Sequence, residues 1–150
     1  MKRRAISTWT FALALVKWGR HVLLVQDTKG QPAWTIPGGP VAEGEDLVGA
    51  MRREVREQSG LEVDAEGVLR LEYTPIAAGD ARVRAFFLAR PSGDTVPKAT
   101  ADQFSLGARW FTRGEVATLP LRSPEVHRLV ALAFEGPVAP LSLFGSELGN

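Results

Sequence analysis

Glu54, Glu57 and Gln58 are three oxygen-bearing side chains crowded into one turn and a little more of sequence. At helical spacing Glu54 and Glu57 stand about 60° apart around the axis, and Gln58 about 40° from Glu54, so all three share a flank. Two carboxylates that close repel one another, and the group gains most when a divalent cation sits against it. The chain has no cysteine, and no histidine lies nearby. Hard oxygen donors alone favour Mg²⁺ or Mn²⁺ over zinc. The neighbouring Arg52, Arg53 and Arg56 are expected to point to other sides and leave this flank free. Gly38 and Gly39, just before the helix, allow a backbone path and a close approach to ligand that other residues forbid. The plain alternative is a solvated helical face with Glu and Arg chosen as good helix formers.

The elements that would carry these residues are legible from pattern. Leu47, Val48, Met51 and Val55 fall on one stripe, which predicts a helix over 47–59 with Gly60 as its stop. It is reached through a glycine loop, 37–44. Upstream, "TFALALVK" and "HVLLVQD" read as a hairpin turning near Gly19, and Trp34 to Ile36 as a short strand. Downstream, "LEVDAEGVLRLEYTPI" and "RVRAFFLARP" read as strands separated by the "AAGDA" turn, "PSGDTVPKATADQFSLG" as a polar loop and "ARWF" as a short strand. A short helix over "TRGEVATL" follows. Then comes a longer one over "SPEVHRLVALAFEG", with Ser123 as N-cap, Pro124 at its first position and Gly136 past its end. Strands, helix, strands, helix implies an α/β fold with a mixed sheet between helices.

Length and composition set the limits. The 150 residues fit one domain, and the hydrophobic (45%) and charged (23%) fractions are those of an ordinary globular protein. A formal net charge of +1, with no basic patch interleaved with aromatics, gives no general attraction to nucleic acid. Without cysteine there is no thiolate nucleophile and no disulfide framework. The basic start followed by an apolar run outlines a secretory signal, but Lys17, Trp18, Gly19 and Arg20 interrupt the run and no cleavage site stands clear. Nothing approaches the ~20 apolar residues of a membrane span, and a cytoplasmic location is expected.

From Gly39 to Leu61 the sequence resembles the signature of the Nudix hydrolase superfamily, G-x5-E-x7-R-E-U-x-E-E-x-G-U, where U is a bulky aliphatic. The match runs through Gly39, Glu45, Arg53, Glu54, Val55, Glu57, Gly60 and Leu61, and only Gln58 departs, standing where the pattern has its last Glu. The resemblance extends over about residues 5–135, with 137–150 as a tail. It implies a Nudix-type α/β/α sandwich with a mixed β-sheet in a single domain, 1–150.

The resemblance also implies chemistry. Members cleave the pyrophosphate linkage of a nucleoside diphosphate joined to another moiety, by attack of water with divalent metal help. A cation held by carboxylates polarises a phosphoryl oxygen and lowers the pKa of a bound water. On this basis Glu54 and Glu57 are the expected catalytic and metal-binding residues, with Glu54 a candidate base and the Gly39 carbonyl a further ligand. Glu45 and Arg53, with Gly38, are expected to brace the loop against the helix. Gln58 still offers an amide oxygen to the cation, at the loss of one charge. The family often adds a Glu from a later loop; the stretch "TADQFSLGARWF" offers Asp102 instead.

The expected ligand is a nucleotide-type small molecule: a nucleoside triphosphate, a nucleotide sugar such as ADP-ribose, or a dinucleoside polyphosphate. Trp18, Trp34, Tyr73, Phe86, Phe87 and Trp110 could supply a wall on which a base stacks, but most of them sit in strand patterns and are core residues by default. A homodimer is compatible with the resemblance. Two amides near the expected metal, Gln58 and Gln103, keep a second reading open, a non-catalytic Nudix domain that binds a nucleotide as a sensor or regulatory module.

Overall fold

A computed structural model describes residues 2–145. Among these, seven strands form one mixed sheet: β1 (Thr8–Trp18), β2 (His21–Asp27), β3 (Ala33–Thr35), β4 (Gly38–Pro40), β5 (Val63–Pro75), β6 (Ala81–Pro91) and β7 (Gly107–Thr112). The main path runs β3-β2-β1-β6-β5, with β4 paired to β1 and β7 to β2. β1 and β6 run parallel over nine registered pairs, and the remaining pairings are antiparallel. The hairpin of β1 and β2 turns at Gly19, as its spacing predicts.

Successive strand residues point to opposite faces, and the alternation builds two cores. Ala12, Ala14, Val16, Ala85, Phe87 and Ala89 pack on one face under Val48, Met51 and Val55 of helix α1 (Leu47–Ser59). Leu15, Leu24, Phe86 and Leu88 pack on the other under Val126, Leu129 and Val130 of helix α3 (Glu125–Glu135). A single turn of helix, α2 (Arg113–Val116), links β7 to α3 through a Thr112/Glu115 capping box. The result is the α/β/α sandwich that the pattern implies.

Helix α1 has the bounds its periodicity predicts. Asp46 caps its N-terminus by accepting from the Gly49 N–H, and Gly60 closes it in the left-handed conformation at φ 79°. Three expectations need correction. The 37–44 stretch is not all loop, because Gly38–Pro40 pairs with Phe11–Leu13 of β1. Ser123 provides no side-chain cap to α3, which starts at Glu125, although its carbonyl accepts from the Val126 N–H. Of the 137–150 tail, residues 137–144 are built onto the sheet: Val68 and Ala139 exchange two backbone hydrogen bonds, and Phe144 packs on Phe87. Residues 146–150 lie outside the described residues.

Candidate functional site

The site lies where α1 meets β4. Glu54 is 8% exposed, a carboxylate buried on the inner side of a helix whose other charged residues are more accessible. Such a residue needs partners. Arg53 Nη1 donates to Glu54 Oε1 at 2.9 Å, and Gln58 Nε2 donates to Oε2 at 2.6 Å. The two glycines are explained by contact. A Cβ on Gly38 would come within 2.7 Å of the Leu13 Cα, and one on Gly39 within 2.6 Å of Glu54 Oε1. The backbone therefore approaches a strand and a carboxylate closer than any other residue type permits.

Arg53 overturns the expectation that the arginines leave the carboxylate flank free. Its Nη1 reaches both Glu54 (2.9 Å) and Glu57 (3.3 Å), because a long side chain spans to the next residue and to i+4. Nε and Nη2 fork onto the Glu45 carboxylate at 2.7 and 2.9 Å, and Nη2 also donates to the Pro40 carbonyl at 3.1 Å. One guanidinium thus ties helix, loop and β4 together.

This fork has a pH signature. The Arg53 hydrogen bond holds the Glu45 carboxyl below its ordinary value, and the same bond raises the guanidinium. A depressed folded-state pKa contributes stability that is complete above about pH 4.5, the ordinary glutamate value, and is lost as the pH falls through the folded value. The thermal midpoint of the wild type is expected to fall more steeply below that pH than that of Glu45→Gln, which has no such proton to take up. Coincident slopes in melts from about pH 3 to 7 would remove the pair from the acid limb.

The candidate ligands are distributed unevenly. Gly39, Glu54 and Gln58 line one cleft, and Glu57 joins them through Arg53. Gln58 does not present a free amide to a cation: Oε1 accepts from the Gly38 N–H at 3.2 Å, and Nε2 donates to the Gly38 carbonyl at 2.9 Å as well as to Glu54. Asp102 is likewise engaged. One oxygen pairs with Lys98 Nζ at 2.6 Å and the other accepts from the Phe104 and Ser105 N–H groups, and the Lys98 bond holds its carboxyl below the ordinary value. Its loop instead clamps the end of α1, where Lys98 Nζ donates to the Glu57 carbonyl (2.8 Å) and Ser105 Oγ to the Gln58 carbonyl (2.7 Å).

Among the described residues no three Asp, Glu, His or Cys side chains form a ready metal cluster. Two carboxylates do converge, on a single cationic nitrogen of Arg53. A Cβ at Gly39 would collide with Glu54, so glycine leaves the carboxylate its room there. That donor set is hard oxygen throughout, the chemistry that a hard divalent cation takes.

The cleft beyond Glu54 encloses about 570 Å³ and is walled by Phe11, Leu13, Lys29, Arg82, Arg84 and Arg122, among others. Arg84 is neutralised by Glu72 and Glu125, and Arg122 by Asp27. Arg82 makes no ion pair among the described residues, and its buried Nε has no acceptor. A cleft lined by Glu54 and by Arg82, a cation without an ion pair among the described residues, suits an anionic ligand such as a phosphate. Sequence reasoning missed these cations, although the alternation in "RVRAFFL" puts Arg82 and Arg84 on the face of Phe86 and Leu88. The aromatic wall is also reassigned. Phe86 and Phe87 are fully buried in the core, and the aromatic lining the cleft is Phe11, on the β1 face shared with Leu13 and Leu15.

Comparison with known proteins agrees with this geometry. A family model described as "NUDIX domain" matches residues 8–132. The chain is 39% identical over 116 residues to the 8-oxo-dGDP phosphatase NUDT18 of Homo sapiens, covering 75% of this chain and 34% of that protein. The chain thus spans about a third of the length of that curated relative. Among solved structures, a NUDIX hydrolase from Nitrosomonas europaea superposes with a TM-score of 0.74 at 23% identity, covering 91% of this chain and 95% of that one. An ADP-ribose pyrophosphatase from Streptococcus suis superposes at 0.66 and 21% identity, covering 87% and 95%.

Proposed function

The chain belongs to the NUDIX domain family, and from that premise we propose that it is a divalent-metal-dependent hydrolase of a nucleoside diphosphate linked to another moiety. The observation that carries the reading is that Glu54, packed so close to Gly39 that a side chain there would meet its carboxylate, lines the same cleft as Arg82, a cation without an ion pair among the described residues. Glu54 and Glu57 would hold the cation, with the Gly39 carbonyl completing the protein's share. When bound, the cation neutralises phosphate charge and activates water. Glu54 would accept the proton of the attacking water, a role supported by Arg53 and Gln58 holding its orientation. Arg82 supplies the unneutralised positive charge that a phosphate or a keto oxygen of a base would meet.

The substrate classes that follow from the relatives are an oxidised purine nucleoside diphosphate, as for NUDT18, and a nucleotide sugar such as ADP-ribose. The test is a panel of 8-oxo-dGDP, ADP-ribose, nucleoside triphosphates and dinucleoside polyphosphates, each with Mg²⁺ and with Mn²⁺. Release of a phosphate or nucleotide product that stops on chelation is the expected result. One observation favours a second reading, a nucleotide-binding module without turnover: Gln58 removes the third box carboxylate. Tight binding of a panel member with no metal-dependent product would establish that reading instead.

A further inference from the structure

The Gln58 side chain does more than fill the place of a glutamate. A primary amide has one oxygen acceptor and two N–H donors. Here the oxygen accepts from the Gly38 N–H, and the nitrogen serves both the Gly38 carbonyl and Glu54 Oε2. Gln58 therefore exchanges both a donor and an acceptor with the Gly38 peptide, as a neighbouring strand would. It does so for a strand only three residues long, paired through β1 on its other side. The backbone that carries the side chain is in turn held by the 98–105 loop. Ser105 Oγ donates to the Gln58 carbonyl, and Lys98 Nζ to the adjacent Glu57 carbonyl.

A carboxylate at this position has no donor to offer. It would satisfy the Gly38 N–H alone and face the Gly38 carbonyl and the Glu54 carboxylate with nothing but negative charge, an arrangement that requires a cation before it is stable. The amide removes that requirement.

We infer that Gln58 is a positioning residue, a neutral clasp that holds the Gly38 peptide and the Glu54 carboxylate in their working arrangement before any cation arrives, rather than a ligand of that cation. The inference rests on the hydrolase reading for its kinetic consequence, and on the hydrogen bonds of the Gln58 amide for the rest. Gly38 adjoins Gly39, whose backbone touches Glu54, so a slack peptide at 38 displaces the carbonyl and the carboxylate together. Glu54 stays buried between its two donors, and the metal site would be built with two carboxylates instead of three.

Two variants test this. Gln58→Met keeps the length and removes every polar atom; Gln58→Glu restores the glutamate of the family pattern. In Gln58→Met, the Gly38 amide of the metal-free protein should exchange with solvent at least ~10-fold faster by NMR. Its kcat should fall about 10- to 100-fold with KM within roughly threefold, the size expected when a supporting hydrogen bond behind a metal site is lost. Its Mn²⁺ affinity, read by electron paramagnetic resonance without substrate, should fall together with the loss of Gly38 protection, by roughly 10-fold, because the Gly39 carbonyl and Glu54 shift with the slack peptide. Gln58→Glu should melt at a lower temperature without metal and gain more from saturating Mn²⁺ than the wild type does.

A Gln58→Met protein with wild-type Gly38 exchange and Mn²⁺ affinity at least ~10-fold weaker would make Gln58 a ligand and overturn the inference. So would Gly38 exchange unchanged in both variants. If the wild type turns over nothing in the panel, the hydrolase reading fails, while amide exchange and Mn²⁺ binding still decide on the clasp.

Discussion

Glu54→Gln lowers turnover at saturating substrate by at least ~100-fold while the melting temperature stays within a few degrees of wild type; this is the largest expected effect on activity. The substitution is isosteric, and a glutamine oxygen still accepts from Arg53 Nη1 or Gln58 Nε2, the two donors that hold the native carboxylate. Packing and most hydrogen bonding survive. What goes is the charge that would bind the proposed cation and the oxygen that would take the proton. Steady-state rates across a Mg²⁺ and Mn²⁺ titration, beside melts of both proteins, check it. Wild-type rates in the variant would reduce Glu54 to scaffold.

Arg53→Ala carries the largest expected effect on stability. The guanidinium makes five polar contacts, to Glu45 twice and to Glu54, Glu57 and Pro40 once each. Its removal leaves three carboxylates gathered without a counter-charge and frees the loop from the helix. Breaking a partly buried network of this kind costs roughly 2–4 kcal/mol. At this chain length that lowers the melting temperature by roughly 5–10 °C. Mn²⁺ should restore part of the loss in the variant, since a cation supplies the charge that Arg53 gave. Arg53→Lys should fall between, because an ammonium keeps the charge but not the fork. A variant that melts with the wild type would show that the contacts are incidental.

Sequence pattern defined the parts of the site that obey a local rule. Leu47 to Ser59 repeats at the helical period and stops at a glycine, so the helix and its Glu54 flank were both legible. The strands of the two cores alternate, which gave the mixed sheet. Other features depend on reach across space. Arg53 was assigned to another side by the direction of its Cβ, whereas its five polar contacts are made by the far end of the side chain. β4 consists of two glycines and a proline, residues with low strand propensity, and pairs only because β1 receives it. Asp102 looked like a ligand because it is acidic and in the right loop. Its proximity to Lys98 and to its own turn, which decides its chemistry, is visible only once the loop is folded.

The parallel alignment of β1 with β6 also bears on how the chain reaches this state. Its partners, Thr8 with Ala81 through Val16 with Ala89, are roughly 70 positions apart in sequence. Closing a loop of that size loses chain entropy before any contact returns it, and α1, which carries Glu54, Glu57 and Gln58, lies inside the loop. The hairpin of β1 and β2 can form early, from neighbours. The face on which α1 docks is complete only after the distant strand has arrived, so Glu54 reaches Gly39 in the same late step that commits the whole sheet.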